Sequence, residues 1–333
     1  MKKISCVALA CLVLPFLTSC LTIKVTEATV FAPAKFDLGP AGNVAELDTR
    51  MTERFKGGVD EGVWRYEALG DGLFRLSFRE DFPHRQRILP PPVELRNGFI
   101  GEGAGRVAWT YFMRPAALSS ATTHVRPLVV HCAGNAGDRY NSGGDYAAKA
   151  LPFADVLVFD YPGYGDTPGP ASAGTFEAAS RVLSDYVVSQ TQHRKLVLWG
   201  HSLGGFVCSR LAETIPSADG LILETTAPNA AAVAKAWTPI YARPFIRAQV
   251  APSLAGYDVV GSAAQLKGPV LVLGATKDEV LPVTLARQIA DSLKSRNANV
   301  TYYEFAQAKH MNVPAQAEFN GVIATFFKTV ESQ

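Results

Sequence analysis

Short apolar runs alternate with longer segments of helical periodicity from about residue 93 to the end of the chain. Strands buried on both faces give such runs, and they occur mostly in parallel sheets covered by helices. Apolar residues recur at helical spacing after Thr175, which predicts a helix capped by Thr175. The repeated order of strand and helix predicts an α/β fold with a doubly wound, mostly parallel sheet. The predicted core strands are Leu128–His131, Val156–Phe159, Leu196–Trp199, Leu221–Leu223 and Val270–Leu273.

The earlier part of the chain lacks this regularity. Residues 20–92 contain glycine and proline breaks and one alternating segment, Leu73–Arg79, which predicts a strand with one buried face. We interpret residues 20–92 as a tether and an N-terminal extension that packs on the main domain. The main domain, residues 93–333, is expected to begin with strands at Val93–Arg96 and Arg106–Met113, with a turn at Asn97–Gly98.

The composition is that of a folded chain without a strongly charged partner. Hydrophobic residues make up 48% of the 333 residues and charged residues 19%, and the formal net charge is +2. This balance excludes a disordered chain and gives no basis for nucleic-acid binding. Five cysteines are too few for a disulfide scaffold. Beyond the first 20 residues only Cys132 and Cys208 remain, and the sequence leaves open whether they form a disulfide or are buried thiols.

The two surplus positive charges lie in a predicted export signal. Lys2 and Lys3 precede an uncharged run of 14 residues, Ile4–Leu17, which is the order of a bacterial signal peptide. A helix needs roughly 20 apolar residues to cross a bilayer, so this run is too short, and Pro15 interrupts it. The chain has 32 Lys and Arg against 30 Asp and Glu, so cleavage after residue 19 leaves 30 of each.

The end of this signal resembles the lipobox of bacterial lipoproteins. Leu17-Thr18-Ser19 precedes Cys20, and the resemblance implies that Cys20 is acylated and becomes the new N-terminus, a lipid anchor in the cell envelope. Leu21 rather than an aspartate follows Cys20, which in sorted lipoproteins favours the outer membrane, facing the periplasm. The alternative is an ordinary secretory signal in which Cys20 has no special role.

The segment that carries chemistry is Gly200-His201-Ser202-Leu203-Gly204. This Gly-x-Ser-x-Gly pentapeptide directly follows a predicted strand and precedes an apolar helical run. A nucleophile elbow needs that context, since the serine must occupy a strained turn and the glycines leave room for strand and helix to cross. Ser202 is therefore the candidate nucleophile.

Together these features resemble the α/β-hydrolase superfamily, in its branch of esterases, lipases and serine aminopeptidases, over about residues 93–330. The resemblance implies the chain order nucleophile, acid, histidine. His310 is the only histidine after Ser202 and is the expected base. Asp278 follows a predicted strand, lies between Gly274 and Pro282 as in the superfamily pattern, and is the expected acid. Two other carboxylates remain candidates for this role, Glu279 and Glu224.

The resemblance also implies an oxyanion hole made of backbone N–H groups. The residue after the nucleophile, Leu203, supplies one donor. The loop Gly134-Asn135-Ala136-Gly137 is similar to the superfamily's His-Gly-Asn-Ala-Gly loop, although Ala133 replaces the histidine. Asn135 is the expected second donor, and Ala136 is the alternative if the register shifts by one residue.

The superfamily inserts a cap between two strands, here at about residues 227–268. Its apolar residues are expected either to line an acyl pocket or to pack the cap on the core, and the short cap favours an open site for small or medium acyl esters. Two arginines in this stretch, Arg243 and Arg247, either contact an anionic group or are solvated. The apolar residues are Trp237, Ile240, Tyr241, Phe245 and Ile246.

The sequence thus predicts a carboxylesterase-like serine hydrolase with a small-molecule acyl substrate and a membrane anchor at Cys20. No dinucleotide, phosphate-loop or zinc motif occurs in the sequence, so neither a cofactor nor a metal is expected. The alternatives are an aminopeptidase-like or thioesterase activity, or a non-catalytic envelope lipoprotein that uses the fold for binding.

Overall fold

The computed structural model describes residues 21–34, 38–56, 59–61, 64–70, 73–78, 92–114, 125–140, 142–191, 194–296 and 298–333. The predicted signal peptide, residues 1–19, and the predicted acylation site, Cys20, lie outside the described residues. Within these ranges, no helix combines the length and the apolar character needed to cross a membrane.

The N-terminal third is built mostly of strands. They run antiparallel as one continuous ribbon from the second strand to the sixth. The elements are β1 (Leu21–Val25), α1 (Glu27–Val30), α2 (Val44–Phe55), β2 (Val59–Glu61), β3 (Trp64–Gly70), β4 (Leu73–Phe78), β5 (Val93–Ile100) and β6 (Val107–Met113).

The remainder alternates strand and helix, as predicted. Its elements are β7 (Leu128–Cys132), α3 (Gly143–Ala150), β8 (Asp155–Phe159), α4 (Ala173–Gln190), β9 (Leu196–His201), α5 (Leu203–Thr214), β10 (Gly220–Glu224), α6 (Ala230–Trp237), β11 (Ile246–Val250), α7 (Val259–Ala263), β12 (Val270–Ala275), α8 (Thr284–Ser295), β13 (Val300–Phe305) and α9 (Phe319–Glu331).

One sheet organises the molecule, in the order β13-β12-β10-β9-β7-β8-β6-β5-β4-β3-β2. Neighbouring strands from β13 to β8 in this order are parallel, and β6 joins β8 antiparallel. Every residue of β7, β9, β10 and β12 is buried, because helices cover both faces there. The predicted doubly wound, mostly parallel sheet is confirmed, and each predicted core strand lies where the sequence placed it.

Two local predictions were wrong. Asn97 and Gly98 do not form a turn, because β5 runs through them and pairs with β6. Gly98 lies opposite Trp109, and a Cβ at Gly98 would come within 2.4 Å of the Trp109 ring, so the glycine accommodates an aromatic side chain across the strand pair. The helix predicted after Thr175 instead starts after Ser172, whose side chain accepts from the Thr175 N–H in a capping box.

The N-terminal extension is joined to the rest of the protein at two places. Its strand β4 pairs with β5 and buries Phe74, which extends the main sheet. Its first strand, β1, pairs in parallel with β11, which lies inside the predicted cap. The stretch expected to serve as a tether is therefore attached to the cap from Leu21 onward.

Candidate active site

Ser202 lies in a sharp turn between β9 and α5. Its backbone has φ 54° and ψ −118°, a conformation that is strained for any residue except glycine. Neighbouring glycines make the turn possible: a Cβ at Gly200 would lie 2.3 Å from the Gly204 carbonyl oxygen, and one at Gly204 would lie 2.0 Å from that of Cys132. Strand and helix thus cross as closely as the pentapeptide predicted.

The turn is held by hydrogen bonds to β10 and to the segment after it. The Ser202 N–H donates to the Glu224 carbonyl oxygen at 2.9 Å. The Thr226 hydroxyl donates to the Ser202 carbonyl oxygen at 2.7 Å. Because the backbone is fixed on both sides, the strained serine is held in one orientation, at the N-terminus of a 12-residue helix. That helix end favours negative charge.

His310 and Asp278 complete a continuous chain of contacts with Ser202. His310 Nε2 lies 3.0 Å from Ser202 Oγ, and His310 Nδ1 lies 2.8 Å from Asp278 Oδ2. The arrangement fits the tautomer in which Nδ1–H donates to the carboxylate and Nε2 accepts from the serine hydroxyl. The structure therefore brings together the three side chains that the sequence singled out, from loops that follow β9, β12 and β13.

Asp278 is oriented by its own loop. Its second carboxylate oxygen, Oδ1, accepts from the N–H groups of Val280 and Leu281, each at 2.8 Å. Its side chain is 1% exposed, so the contact with His310 is shielded from water. A carboxylate held in this way can orient the imidazole and stabilise its protonated form.

The two alternative acids lie elsewhere. Glu224 is buried and pairs with Lys149 Nζ at 2.6 Å, and it accepts from Trp199 Nε1 at 2.8 Å. Burial alone would raise the pKa of Glu224, but the Lys149 ammonium and these hydrogen bonds lower the pKa below its usual value. Glu279 is largely exposed and faces Lys309 at 3.3 Å. Neither forms a hydrogen bond with His310 among the described residues.

A buried histidine, His201, contacts the backbone of His310, and the sequence had suggested no role for it. Its Nε2 lies 3.2 Å from the backbone carbonyl oxygen of His310. Burial lowers the pKa of His201 to about 4, so the ring is neutral near pH 7 and can donate this hydrogen bond. The Gly-His-Ser-Leu-Gly motif contains His201, but its partner His310 lies in a loop more than a hundred residues later in the sequence. The motif alone therefore could not predict the contact between them.

The predicted oxyanion loop passes directly beside Ser202. A Cβ at Gly134 would lie 3.6 Å from the Ser202 Cβ. Among the described residues, neither the Leu203 nor the Asn135 backbone N–H donates to a protein acceptor, so both stay candidate oxyanion donors. Ala136, the alternative donor, directs its N–H to the Asn135 side chain at 3.2 Å and has φ 60°.

The N-terminal extension braces this loop, which the sequence did not predict. The Asn135 side chain accepts from the Ala32 N–H at 2.9 Å and from the Tyr164 hydroxyl at 2.9 Å. It also donates to the Val30 carbonyl oxygen at 3.0 Å. Phe31, between these two contacts, stacks on Phe176 with ring centroids 4.4 Å apart. The extension is therefore part of the architecture of the site.

Cys132 and Cys208 form a disulfide across the same region. Cys132 ends β7, just before the oxyanion loop, and Cys208 lies in α5, which begins after Ser202. The bond resolves the question that the sequence left open and ties the two backbone segments that carry the candidate oxyanion donors.

The cap differs from its sequence-based description. Residues 227–268 comprise α6, β11 and a one-turn helix, followed by α7, whose Val259, Val260 and Ala263 are buried in the core. Trp237, Ile240, Tyr241 and Phe245 are all exposed, so they do not pack the cap on the core. Arg243 and Arg247 are also exposed. Among the described residues, no cluster of three or more potential metal-binding side chains is present.

Comparison with known proteins identifies the architecture. Residues 127–255 match the family described as alpha/beta hydrolase fold. The esterase Pf2001 of Pyrococcus furiosus superposes with a TM-score of 0.51 at 15% identity, over 74% of this chain and 98% of the esterase. This chain has the α/β-hydrolase fold. A puromycin-hydrolyzing peptidase of Mycobacterium tuberculosis shares the fold with a TM-score of 0.55 at 14% identity, over 82% of this chain and 47% of the peptidase.

Sequence relatives of this chain are found in bacteria and vertebrates. An uncharacterized protein of Mycobacterium tuberculosis is 31% identical over 168 residues, which cover 49% of this chain and 56% of that protein. Lysophosphatidylserine lipase ABHD12 of Danio rerio is 26% identical over 233 residues, covering 61% of this chain and 58% of the lipase. The chain therefore spans somewhat more than half the length of these curated relatives.

Proposed function

We propose that this protein is a serine hydrolase that cleaves acyl esters through a covalent acyl-enzyme. The proposal rests on one observation, the unbroken contacts of 3.0 Å from Ser202 Oγ to His310 Nε2 and of 2.8 Å from His310 Nδ1 to Asp278 Oδ2. A serine hydroxyl is a weak nucleophile until an adjacent base takes its proton, and this arrangement supplies both the base and the group that orients it.

In the proposed mechanism, Ser202 Oγ attacks the acyl carbonyl carbon while its proton passes to His310 Nε2. The carbonyl π electrons move onto oxygen, and the Leu203 and Asn135 N–H groups stabilise that oxyanion, which is usually the largest catalytic contribution. When the carbon–oxygen bond to the alcohol breaks, His310 returns its proton to the leaving oxygen. Water then attacks the acyl carbon of the acyl-enzyme while His310 takes its proton. The bond between that carbon and Ser202 Oγ breaks, His310 returns the proton to Oγ, and the acid is released.

An ester is preferred to an amide as the substrate because an alkoxide leaves the tetrahedral intermediate more readily than an amide anion, and the ester carbonyl is the more electrophilic of the two. The name of the vertebrate relative, a lysophosphatidylserine lipase, points in the same direction. Thioesters and aminoacyl amides are alternative substrates, and the substrate panel described below includes both.

We also propose that the protein is exported and anchored through acylated Cys20. The order of Lys2, Lys3, the apolar run and Leu17-Thr18-Ser19-Cys20 supports this. The disulfide between Cys132 and Cys208 is in keeping with an oxidising compartment outside the cytosol. Mass spectrometry of the mature N-terminus tests the proposal, which predicts an acylated Cys20. An unmodified Cys20, or cleavage at another residue, would contradict it.

The catalytic proposal is tested with a panel of acyl esters of increasing chain length, together with thioesters and aminoacyl amides. We expect turnover of short or medium acyl esters, and a loss of roughly 10⁴-fold or more in kcat when His310 is replaced by alanine. A circular-dichroism spectrum of the variant serves as the folding control. Ester hydrolysis no faster than that of His310→Ala would instead support a non-catalytic binding protein.

A further inference from the structure

The cap carries a group of large apolar side chains that the protein itself does not cover. Trp237 is 61% exposed, Ile240 77%, Tyr241 78% and Phe245 60%. We call these four residues the apolar patch. They lie within nine residues of sequence, at the end of α6 and in the turns that lead to β11. Large apolar side chains that are exposed together in one segment usually mark a binding surface.

The apolar patch lies next to the point where the described chain begins. Leu21 of β1 pairs with Ile246 of β11, and Phe245 immediately precedes Ile246. Ile23, two residues further along β1, is itself 41% exposed. The residue before Leu21 is Cys20, the predicted acylation site, so that site is one residue in sequence from the strand that pairs with β11.

The charged residues in the sequence of the cap around the patch have a single sign. No Asp or Glu occurs between Glu224 and Asp258, whereas the same stretch contains Lys235, Arg243 and Arg247. All three cations are exposed, as is Lys24 on the neighbouring strand β1. Exposed aromatic side chains with exposed cations in the same segment are the combination that suits an anionic lipid surface, because the rings enter the interface while the cations meet the headgroups.

The patch is also connected to the rim of the candidate active site. Trp237 Nε1 donates to the Val280 carbonyl oxygen at 2.6 Å, two residues after Asp278. Val280 is exposed, and so is Met311, which directly follows His310. Apolar residues therefore lie on the loops that carry the acid and the base as well as on the cap.

We propose that the apolar patch and its surrounding cations form a docking surface for an anionic membrane, which holds this face of the protein against the bilayer. The surface binds lipid without the acyl group on Cys20, and in the anchored protein it fixes the orientation that a lipid anchor alone leaves free. The proposal does not depend on catalysis, so Ser202→Ala is expected to leave membrane binding unchanged.

The test uses the mature chain from residue 20 onward with Cys20→Ser, which retains every described element but lacks the acyl acceptor. Binding is measured by flotation with vesicles of phosphatidylglycerol and phosphatidylcholine, and with vesicles of phosphatidylcholine alone. We expect binding to the anionic vesicles, weakened by salt. We expect Ile240→Ser/Phe245→Ser to reduce the partition coefficient by about tenfold or more.

The matched control is Val125→Ser/Val188→Ser. These valines are 60% and 48% exposed, but they precede β7 and end α4, at the opposite edge of the sheet from Ser202. The control should bind as the parent does. Equal binding of parent and patch variant, or no binding by the parent, would overturn the proposal. A dimer of the parent protein, detected by light scattering without lipid and abolished by the patch substitutions, would also overturn it. In that case a second copy of the chain, rather than a membrane, would cover the apolar patch.

Discussion

The carboxyl edge of the central sheet and the cap above it are built in opposite ways. At the sheet edge two pairs of polar side chains are buried together: Asp278 with His310, and Glu224 with Lys149. In the cap large apolar groups are exposed, and the stretch from residue 225 to 257 contains no carboxylate at all. One region holds charge inside the protein, and the other presents apolar surface outside it.

The difference shows how the proposed tasks are divided. Buried charges cost free energy unless they are paired, so the pairs at the sheet edge hold side chains in fixed positions for chemistry. Exposed aromatic groups gain free energy only when something covers them, which suits recognition of a surface. Substitutions at the sheet edge should therefore alter catalysis and stability, whereas those in the cap should alter neither.

The largest effect on kcat is expected from substitutions that distinguish two carboxylates, Asp278 and Glu224, which the sequence left as candidates for the acid that orients His310. Asp278→Asn keeps the shape of the side chain but removes the charge that orients His310, and we expect kcat to fall on the order of 10³- to 10⁴-fold. Glu224→Gln should leave kcat within about tenfold while it destabilises the fold by about 3 kcal/mol, because Lys149 loses its buried partner. Ester turnover and urea unfolding measure the two effects. A larger loss of kcat in Glu224→Gln than in Asp278→Asn would reverse the assignment.

The disulfide should have the next largest effect. It closes a sequence separation of 76 residues between Cys132 and Cys208. Reduction should lower the free energy of unfolding by about 4 kcal/mol, since the cross-link restricts the unfolded chain. Urea unfolding with and without dithiothreitol measures this, and Cys132→Ala/Cys208→Ala, which has neither thiol, should not respond to the reductant. Two free thiols in the native protein would contradict the predicted effect.

Stability should also depend on pH through the buried histidine. Because burial lowers the pKa of His201 from 6.5 to about 4, the unfolded chain binds a proton below pH 6.5 that the folded protein excludes. Stability is therefore full above pH 6.5 and falls as the pH drops towards 4. Between about pH 7 and pH 5 we expect His201 to contribute a loss of about 2 kcal/mol. Urea unfolding of His201→Gln should show a shallower dependence, and identical slopes for both proteins would refute this role.

The smallest effect is expected in the cap. Ile240→Ser/Phe245→Ser should leave kcat/KM for a short water-soluble ester within about twofold and the free energy of unfolding within about 0.5 kcal/mol. Both side chains are exposed, and among the described residues neither has a polar group that could hydrogen-bond to Ser202, His310 or Asp278. A larger loss on a soluble ester would show that the cap contributes to catalysis itself, and the contrast between the two regions would fail.

The sheet and the elbow could be predicted because their signals are local. Continuous apolar runs give the strands, and a strand, Gly-x-Ser-x-Gly and a helix give the turn at Ser202. His310 followed because no other histidine comes after Ser202. The pairing of Glu224 with Lys149 could not be predicted in this way, because the two residues belong to different elements and their contact produces no periodic pattern in the sequence.

The N-terminal contacts were missed for a similar reason. In β11 only the terminal residues are partly buried and the rest are exposed, so apolar alternation gives no sign of its pairing with β1. The brace of Val30 and Ala32 on Asn135 uses backbone groups, which any residue could supply. Register between distant segments is set by packing that only the folded structure contains.

A fluorophosphonate probe with peptide mass spectrometry measures whether Ser202 is a nucleophile activated by His310. Such a probe reacts with an activated serine and leaves an ordinary hydroxyl unmodified. We expect one modified residue, Ser202, with labelling abolished in Ser202→Ala and strongly slowed in His310→Ala. Undiminished labelling of Ser202→Ala, or no labelling of the wild-type protein, would contradict this expectation.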